Sequence, residues 1–210
     1  MENDKNTLTE IFDRYRTDKG SVGHGAEIHN YGLAYEQFFE EFRGKGISIC
    51  ELGVLDGNSL RSWRDYFENA KVLGVDNNSL TLISEPGLKT IFGDQSDPIE
   101  LKSIIAGEWD IIIDDGSHEA KHQQECLYHL IGLVKSGGYY VIEDLHTYRM
   151  NHPKRWLMEQ FDDRTAYTFD FVRNGFDKSK YLTTEQVSEL VSKIESVNVY
   201  QDKLAIIKVK

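Results

Sequence analysis

The chain has 210 residues, enough for one α/β domain with a full-sized core, and no composition break marks a second domain. Its 35 acidic residues against 24 basic ones give a formal net charge of -11, which disfavours nucleic acid or an anionic membrane surface and favours a small-molecule substrate. We see neither a signal-like apolar segment nor a stretch near about 18 apolar residues, so we expect a cytoplasmic protein without a membrane span. The two cysteines form no CxxC pair and fit reduced, buried thiols.

The N-terminal part is predicted to form a lid and a helix. The first residues are polar, and the glycines and charges of TDKGSVGHG (17–25) indicate a loop or flexible lid. Aromatic residues then recur at helical spacing over Tyr31–Phe42, up to a turn at Gly44–Gly46. Such a stripe is typical of a core, and it also suits the interface of a homo-oligomer; both interpretations stay open. We expect residues 1–46 to cover a site on a single domain whose core is residues 47–210.

From residue 47 onwards, short apolar runs alternate with amphipathic stretches, the pattern of parallel strands joined by crossover helices. Near the C-terminus, the helical stretch TTEQVSELVSKI precedes two alternating runs on either side of Gln201-Asp202-Lys203, which predict an antiparallel hairpin. The predicted fold is therefore α/β, with a seven-stranded, mostly parallel sheet. The five strands before the hairpin are ISICELG (47–53), KVLGVD (71–76), LKTIFGD (88–94), WDIIIDD (109–115) and GYYVIED (138–144).

Each of these five runs has an acidic residue at or near its end. Ligands of open α/β sheets bind outside the carboxyl ends of the strands, so these acids are expected at the binding edge. A single acid at a strand end is ordinarily just exposed to solvent. Five in succession make that explanation much weaker, and they indicate an acidic cluster at the binding edge.

The first strand-to-helix junction, ELGVLDGNS (51–59), has the features of a cofactor loop. Gly53 and Gly57 let the backbone approach a ligand closely, and the next helix begins with free N–H groups. The spacing is not GxGxxG, and the carboxylates of Glu51 and Asp56 would repel a pyrophosphate. A cofactor with an ammonium and a sulfonium cation is favoured instead, which fits S-adenosylmethionine.

Two further strand ends support a nucleoside cofactor. Asp76 ends the second strand, where a carboxylate can accept both hydroxyls of a ribose. Asp94 and Gln95 follow the third strand with groups that can hydrogen-bond to an adenine edge. The order of these signals along successive strands is more specific than any one of them.

A second group of acids predicts a cation site. Asp114, Asp115, Glu143 and Asp144 end two strands that should be neighbours. Converging carboxylates repel one another unless a cation lies between them, and oxygen ligands suit Mg²⁺ or a similar hard ion. His118 follows three residues after Asp115 at a predicted helix start, close enough to act as a general base beside the metal.

The letters HEAKH (118–122) also fit the HExxH pattern of zinc proteases. In those enzymes both histidines lie within one helix, whereas His118 here follows a buried-type strand and an Asp-Gly-Ser turn. We therefore place His122 and Glu119 on the solvated face of a helix that ends at Gly137-Gly138. A related alternative, a facial triad of Asp115, His118 and His122 for non-haem iron, fits by ligand type but leaves two acids unused.

Taken together, the motifs resemble a known family, the class I S-adenosylmethionine-dependent O-methyltransferases that modify sugars on macrolides and related natural products. The likeness is to the mycinamicin and demethylmacrocin type, and more distantly to cephalosporin hydroxylase-type proteins. It implies a Rossmann-like class I methyltransferase fold and a requirement for Mg²⁺. The motifs that carry it are TDKG with His24, Tyr31 and Tyr35, then ELGVLDGNSLRSW, GDQSDP, IIIDDGSH and YYVIEDLHT.

The resemblance implies a role for each of these motif positions. Its proposed general base is His118. Two residues of the following segment, His146 and Tyr148, are our candidates for the acceptor pocket. Two rival functions stay open, a metal-dependent oxygenase or hydroxylase on the same fold and a non-catalytic module that binds S-adenosylmethionine. The implied cofactor-binding residues are Thr17, Lys19, Glu51, Gly53, Asp76, Asp94, Gln95 and Asp114, and the implied Mg²⁺ ligands are Asp115, Glu143 and Asp144.

Overall fold

A computed structural model of the chain describes residues 6–22, 28–145, 168–177, 179–201 and 203–210. These residues belong to two compact units, Met1–Phe92 and Gly93–Lys210. The boundary that we expect after residue 46 stays a prediction.

The first unit is built on a β-α-β crossover. β1 pairs in parallel with β2, and β2 pairs in parallel with β4, while the short β3 runs antiparallel to β4. The strands are neighbours in the order β3-β4-β2-β1. The elements are α1 (Leu8–Tyr15), α2 (Gly32–Phe39), β1 (Ser48–Leu52), α3 (Asn58–Tyr66), β2 (Lys71–Asp76), β3 (Ser84–Glu85) and β4 (Leu88–Phe92).

The helix α1 corrects the prediction that the first residues form only a loop or lid. Its apolar residues Leu8, Ile11 and Phe12 have the i, i+3, i+4 spacing of a helix and are buried. Thr7 and Glu10 form a capping box that satisfies two N–H groups at the helix start. The apolar spacing and the capping box are both visible in the sequence. They were overlooked because the surrounding residues are highly polar.

The aromatic stripe of the second helix is part of the core of the first unit. α2 continues as a 3₁₀ turn over Glu40–Phe42, close to the predicted end of the helix. The side chains of Tyr35 and Phe39 are fully buried around Trp63, and the ring centroids of Tyr35 and Trp63 lie 5.0 Å apart. Phe12 meets the same indole edge to face, also at 5.0 Å. The core interpretation of the stripe is therefore confirmed.

The second unit contains the other four strands. β5 and β6 are parallel, and β8 runs antiparallel to both β6 and β7, so the predicted C-terminal hairpin is confirmed. The order is β5-β6-β8-β7. Over both units the described chain has eight strands where seven were expected; the additional one is β3. The elements are α4 (Pro98–Ile104), β5 (Trp109–Asp114), α5 (Ala120–Leu130), β6 (Val134–Ile142), α6 (Thr168–Arg173), α7 (Thr184–Lys193), β7 (Ile194–Tyr200) and β8 (Leu204–Val209).

One boundary in this unit was predicted wrongly. The helix expected to reach Gly137 ends at Leu130, and β6 begins at Val134. Val134 pairs with Trp109, and the register then shifts before Ile111. This irregular pairing depends on β5, so the sequence around Val134 could not reveal it. Among the described helices, none is long and apolar enough to cross a membrane.

Candidate functional site

The loop after β1 has the backbone that a cofactor loop needs. Gly53 and Gly57 have φ of 93° and 71°, values that favour glycine, and Gly57 is the N-cap of α3. The carboxylate of Asp76, at the end of β2, accepts hydrogen bonds from the N–H groups of Val54 at 2.8 Å and Leu55 at 3.4 Å. The predicted ribose acid therefore also fixes the glycine loop through Oδ2. Its Oδ1 accepts the N–H of Asn78 at 2.8 Å and keeps a further lone pair for a hydroxyl.

Glu51 is the centre of a buried polar group in the first unit. One carboxylate oxygen accepts the hydroxyl of Ser59 at 2.6 Å, and the other accepts the indole N–H of Trp63. The ammonium of Lys19 lies 3.9 Å from Glu51 Oε1, and both side chains are about 1% exposed. Buried charges of opposite sign at this distance compensate each other.

The segment that carries Lys19 is held by its backbone. The N–H groups of His29 and Tyr31 donate to the carbonyl groups of Asp18 and Lys19, at 2.8 and 2.9 Å. Thr17, another predicted cofactor residue, is buried, and its hydroxyl contacts Asp18 at 3.2 Å. This part of the expected lid is thus anchored in the first unit. His24 lies outside the described residues.

In the second unit, Gln95 has a different environment from the one expected of an adenine reader. Its Nε2 donates to Asp114, and its Oε1 accepts the backbone N–H of Ser117 at 2.7 Å. Its backbone carbonyl accepts the thiol of Cys126 at 3.6 Å. Asp94 accepts the N–H of Ser96 at 2.8 Å and so shapes the turn before α4. The amide of Gln95 is used within the protein.

Asp114 is a fully buried carboxyl group at the end of β5. Burial raises its pKa to about 6, although the hydrogen bond from Gln95 and the proximity of His118 act in the opposite direction. Its Oδ2 is buried and has no hydrogen-bond partner among the described residues. A buried acceptor of this kind suits a cationic donor such as the methionine ammonium that the resemblance assigns to it.

Three of the residues predicted to bind the metal or act as the general base converge in the second unit. Asp115, His118 and Asp144 each offer a ligand atom, and these atoms all lie within 4.8 Å of one another. The Nε2 atom of His118 is 4.0 Å from Asp144 Oδ2. Glu143 is 1% exposed and its carboxylate is not in this group. Its backbone instead joins two elements, since its N–H donates to the Asp114 carbonyl at 2.9 Å.

The donor set fits a divalent cation. Two carboxylates suit Mg²⁺, and an imidazole nitrogen is compatible with a general base or, for a softer ion, a ligand. Both His118 and Asp144 have positive φ, 57° and 54°, which is uncommon outside glycine and clusters at functional sites. The Nδ1 atom of His118 is buried without a hydrogen-bond partner in the described part of the chain.

The two other metal hypotheses find less support in this geometry. His118 precedes α5, whose N-cap is Glu119, so the two histidines of HEAKH do not share a helix as in zinc proteases. The Nδ1 atom of His122 contacts the hydroxyl of Ser117 at 2.9 Å, and its Nε2 lies 3.8 Å from Glu119. His122 is not in the converging group, so the iron triad is not assembled among the described residues.

Two predicted positions lie beyond the described part of the chain, and two partners of Glu51 were not predicted. The acceptor candidates His146 and Tyr148 lie outside the described residues. Ser59 and Trp63, which hold Glu51, were missed. Their spacing of four on one helix, with Glu51 at the end of the preceding strand, is the signal that could have identified them.

Comparison with known proteins gives the chain a set of relatives. No protein-family model matches it. It is 36% identical over 171 residues to the 8-demethyl-8-alpha-L-rhamnosyl tetracenomycin-C 2'-O-methyltransferase of Streptomyces olivaceus, covering 75% of this chain and 44% of that protein. It is 35% identical over 152 residues to the demethylmacrocin O-methyltransferase of Streptomyces fradiae, covering 68% of this chain and 37% of that protein.

A solved structure agrees with these relatives. The MycE methyltransferase from the mycinamycin biosynthetic pathway, in complex with Mg, SAH and mycinamycin VI, superposes with a TM-score of 0.80 at 27% identity, covering 98% of this chain and 55% of that one. The chain thus spans less than half the length of the curated relatives and about half of the solved one.

The fold is that of a Rossmann-like class I methyltransferase, as the resemblance implied. Within that class, the chain is a homologue of the sugar O-methyltransferases of macrolide and tetracenomycin pathways.

Proposed function

We propose that the chain is an S-adenosylmethionine-dependent O-methyltransferase that acts, with a divalent metal ion, on a hydroxyl group of a sugar or glycosylated small molecule. The observation that carries this proposal is the convergence of Asp115, His118 and Asp144 within 4.8 Å. A homologue that had lost its chemistry would have no evident need for two carboxylates and an imidazole at one point. The negative net charge of -11 is also consistent with a neutral acceptor.

The cofactor roles follow from the charges of the methionine and ribose parts. We assign the ribose hydroxyls to Asp76, the methionine carboxylate to Lys19 and the methionine ammonium to Asp114. The glycine loop that begins at Gly53 allows close approach of the backbone. Glu51 compensates the buried charge of Lys19, with 3.9 Å between the charged atoms. Thr17, whose hydroxyl contacts Asp18 at 3.2 Å, lies in the segment that carries Lys19, and we assign Asp94 to the adenine region.

The methyl transfer itself requires a proton to leave the acceptor. In this proposal the imidazole of His118 takes the proton of the acceptor hydroxyl, and the oxygen forms a bond to the methyl carbon while the carbon–sulfur bond breaks. The bonding electrons remain on sulfur, which leaves S-adenosylhomocysteine. A divalent ion held by Asp115 and Asp144 would supply Lewis-acid stabilisation and orientation of the acceptor oxygens. Glu143, the third predicted ligand, stays a prediction.

The acceptor class comes from the relatives. Their names describe methyl transfer to a rhamnosyl tetracenomycin and to demethylmacrocin. We therefore propose a glycoside with two neighbouring oxygens as the acceptor class. A homo-oligomeric state also stays a proposal.

The first test is calorimetric titration with S-adenosylmethionine, followed by transfer of its methyl group to a panel of glycosides with Mg²⁺ or with EDTA. We expect binding, and turnover that depends on Mg²⁺. The Asp115→Ala variant should lose both activity and metal dependence. The matched control is Asp110→Ala, in the strand that Asp115 follows, where Asp110 is paired with Lys135 at 2.8 Å.

Three results would contradict the proposal in different ways. No cofactor binding by folded protein would exclude the methyltransferase assignment and bring iron analysis and oxygen consumption to the front. Turnover insensitive to EDTA would exclude the metal role. Cofactor binding without transfer to any glycoside would favour the non-catalytic module.

A further inference from the structure

We propose that Gln95 is a positioning residue for the converging group of Asp115, His118 and Asp144, and that it does not recognise adenine. Its side-chain amide holds the segment between Asp115 and His118 in the conformation that brings the converging group together. This inference rests on the proposed function, because it concerns the same metal site. It replaces the role predicted from the sequence, in which Gln95 hydrogen-bonds to an adenine edge.

Both ends of the Gln95 amide are engaged with the β5–α5 connection. The Nε2 group donates to Asp114, directly before the metal-binding segment, and Oε1 accepts the N–H of Ser117 inside it at 2.7 Å. Gln95 is only 9% exposed, so these contacts are shielded from water. An amide that bridges two points of one loop restricts the backbone between them, since both hydrogen bonds would have to break for the loop to move.

The loop also lies too close to Gln95 to accept a side chain between them. A Cβ atom built at Gly116 would collide with Oε1 of Gln95. A side chain at position 116 would therefore displace the amide of Gln95 from its contacts.

The segment needs such a restraint because its conformation is unusual. His118 has φ of 57°, a value that a non-glycine residue keeps only when its neighbours determine it. On the other side of His118, the N–H of Glu119 donates to the hydroxyl of Ser117 at 3.3 Å, and that hydroxyl contacts His122 at 2.9 Å. Ser117 is thus held by Gln95 through its backbone and by His122 through its side chain.

Gln95 is itself held firmly enough to act as a support. Its backbone carbonyl accepts the thiol of the buried Cys126 at 3.6 Å, which ties it to α5. The turn around it is closed by Asp94, whose carbonyl accepts the N–H of Asp97 at 3.1 Å. Asp97 then caps α4 through the N–H of Glu100 at 2.9 Å.

The test compares metal and cofactor affinity in the Gln95→Met variant. Methionine is similar in length and shape but makes neither hydrogen bond. We expect the affinity for Mn²⁺, measured by electron paramagnetic resonance of the free ion, to fall about 10- to 100-fold, as for other residues that orient metal ligands. The affinity for S-adenosylhomocysteine, measured by calorimetry, should change less. The Gly116→Ala variant places a methyl group against Oε1 of Gln95 and so pushes the amide away from the loop. It should also weaken Mn²⁺ binding.

The matched control is Gln186→Met, which makes the same substitution in the capping box of α7 and removes its hydrogen bond to the N–H of Thr183. It should leave both affinities unchanged. If Gln95→Met binds Mn²⁺ as the wild type does, or loses cofactor affinity alone, Gln95 is not a positioning residue and the proposed function still stands. If the wild type binds no Mn²⁺, the metal role in the proposed function fails, and this inference fails with it.

Discussion

Glu51 in the first unit and Asp114 in the second are both fully buried carboxyl groups near the end of a parallel strand. Both oxygens of Glu51 accept hydrogen bonds, from Ser59 and Trp63, and Lys19 lies near one of them. Within the described part of the chain, Asp114 has a hydrogen-bond partner on one oxygen only, and burial raises its pKa to about 6. The comparison shows that the position in a strand does not determine the state of an acid. The neighbouring side chains do.

The acids proposed for cofactor binding in the first unit differ in the same way from those proposed for metal binding in the second. Glu51 and Asp76 are hydrogen-bonded within the first unit, so the protein itself holds these two carboxylates in place. In the second unit the carboxylates of Asp115 and Asp144 lie close to each other and to His118, an arrangement that a cation would stabilise. Four experiments can break or sharpen this contrast.

The largest effect is expected for His118→Ala. Loss of a positioned general base typically lowers turnover by about 10²- to 10⁴-fold. Cofactor affinity should be nearly intact, and Mn²⁺ affinity decides between the two roles of the imidazole. Unchanged Mn²⁺ affinity identifies a base, whereas a parallel loss identifies a ligand. Full activity of the variant would remove His118 from the mechanism.

The next effect concerns the pH dependence of stability through Asp114. Its folded pKa, about 6, lies above its ordinary value of 3.8, so the folded protein binds this proton more tightly than the unfolded chain. Burial of the carboxyl group therefore begins to destabilise the fold as pH rises above 4, and the effect is complete above about 6. At about 1.4 kcal/mol per pH unit, the difference is about 3 kcal/mol.

Asp114→Asn keeps an acceptor for Gln95 but cannot ionise. Its stability relative to the wild type, from urea unfolding in EDTA, should rise by about 3 kcal/mol between pH 4 and pH 7. A constant difference across that range would show that Asp114 has an ordinary pKa.

A smaller effect is expected for Trp63→Phe, which removes one donor to Glu51 and keeps an aromatic ring in the core. An unsatisfied oxygen on a buried carboxylate should lower the free energy of unfolding by about 2–3 kcal/mol, measured by circular dichroism in urea. Cofactor affinity should fall as well, because Glu51 then holds Lys19 less firmly. Trp109→Phe is the matched control, since its indole donates to the neutral carbonyl of Ile105 at 2.9 Å. If both variants lose the same free energy of unfolding, the indole donor is worth no more to the carboxylate of Glu51 than to a neutral carbonyl.

The smallest effects are expected from the two capping boxes, one in each unit. Thr7→Ala and Thr183→Ala each remove a side-chain acceptor at a helix start and should lower stability by about 1 kcal/mol. Fluorescence and circular dichroism should report the same unfolding midpoint in each variant if the units unfold together. Separate midpoints would show that one unit can unfold while the other remains folded.

The sequence predicted much of the fold because the strands have strong local signals. β1, β2, β4 and β5 lie within the predicted runs, and the hairpin around position 202 pairs as expected. The errors concern one helix in a polar segment and one strand boundary that depends on pairing with a distant strand. α1 was hidden among charged residues, and the start of β6 depends on its irregular pairing with β5.

The candidate site was predicted less completely. Asp115 and Asp144 were identified from strand ends and His118 from its place three residues after Asp115, and the structure brings the three together. Gln95 was assigned by its order in the chain, and its amide instead contacts Asp114 and Ser117. The support of Glu51 by Trp63 was not predicted, because an indole in an amphipathic helix is ordinarily a core residue.

The sequence by itself determined the succession of strands and helices and the placement of acids at strand ends, because periodicity and chain order are local properties. Only the tertiary structure decided which acids converge and which are hydrogen-bonded. That outcome depends on backbone conformations such as the positive φ of His118 and Asp144, and on partners such as Trp63 and Gln95 that act across a fold. Such contacts are set by packing, and no spacing along the chain records them.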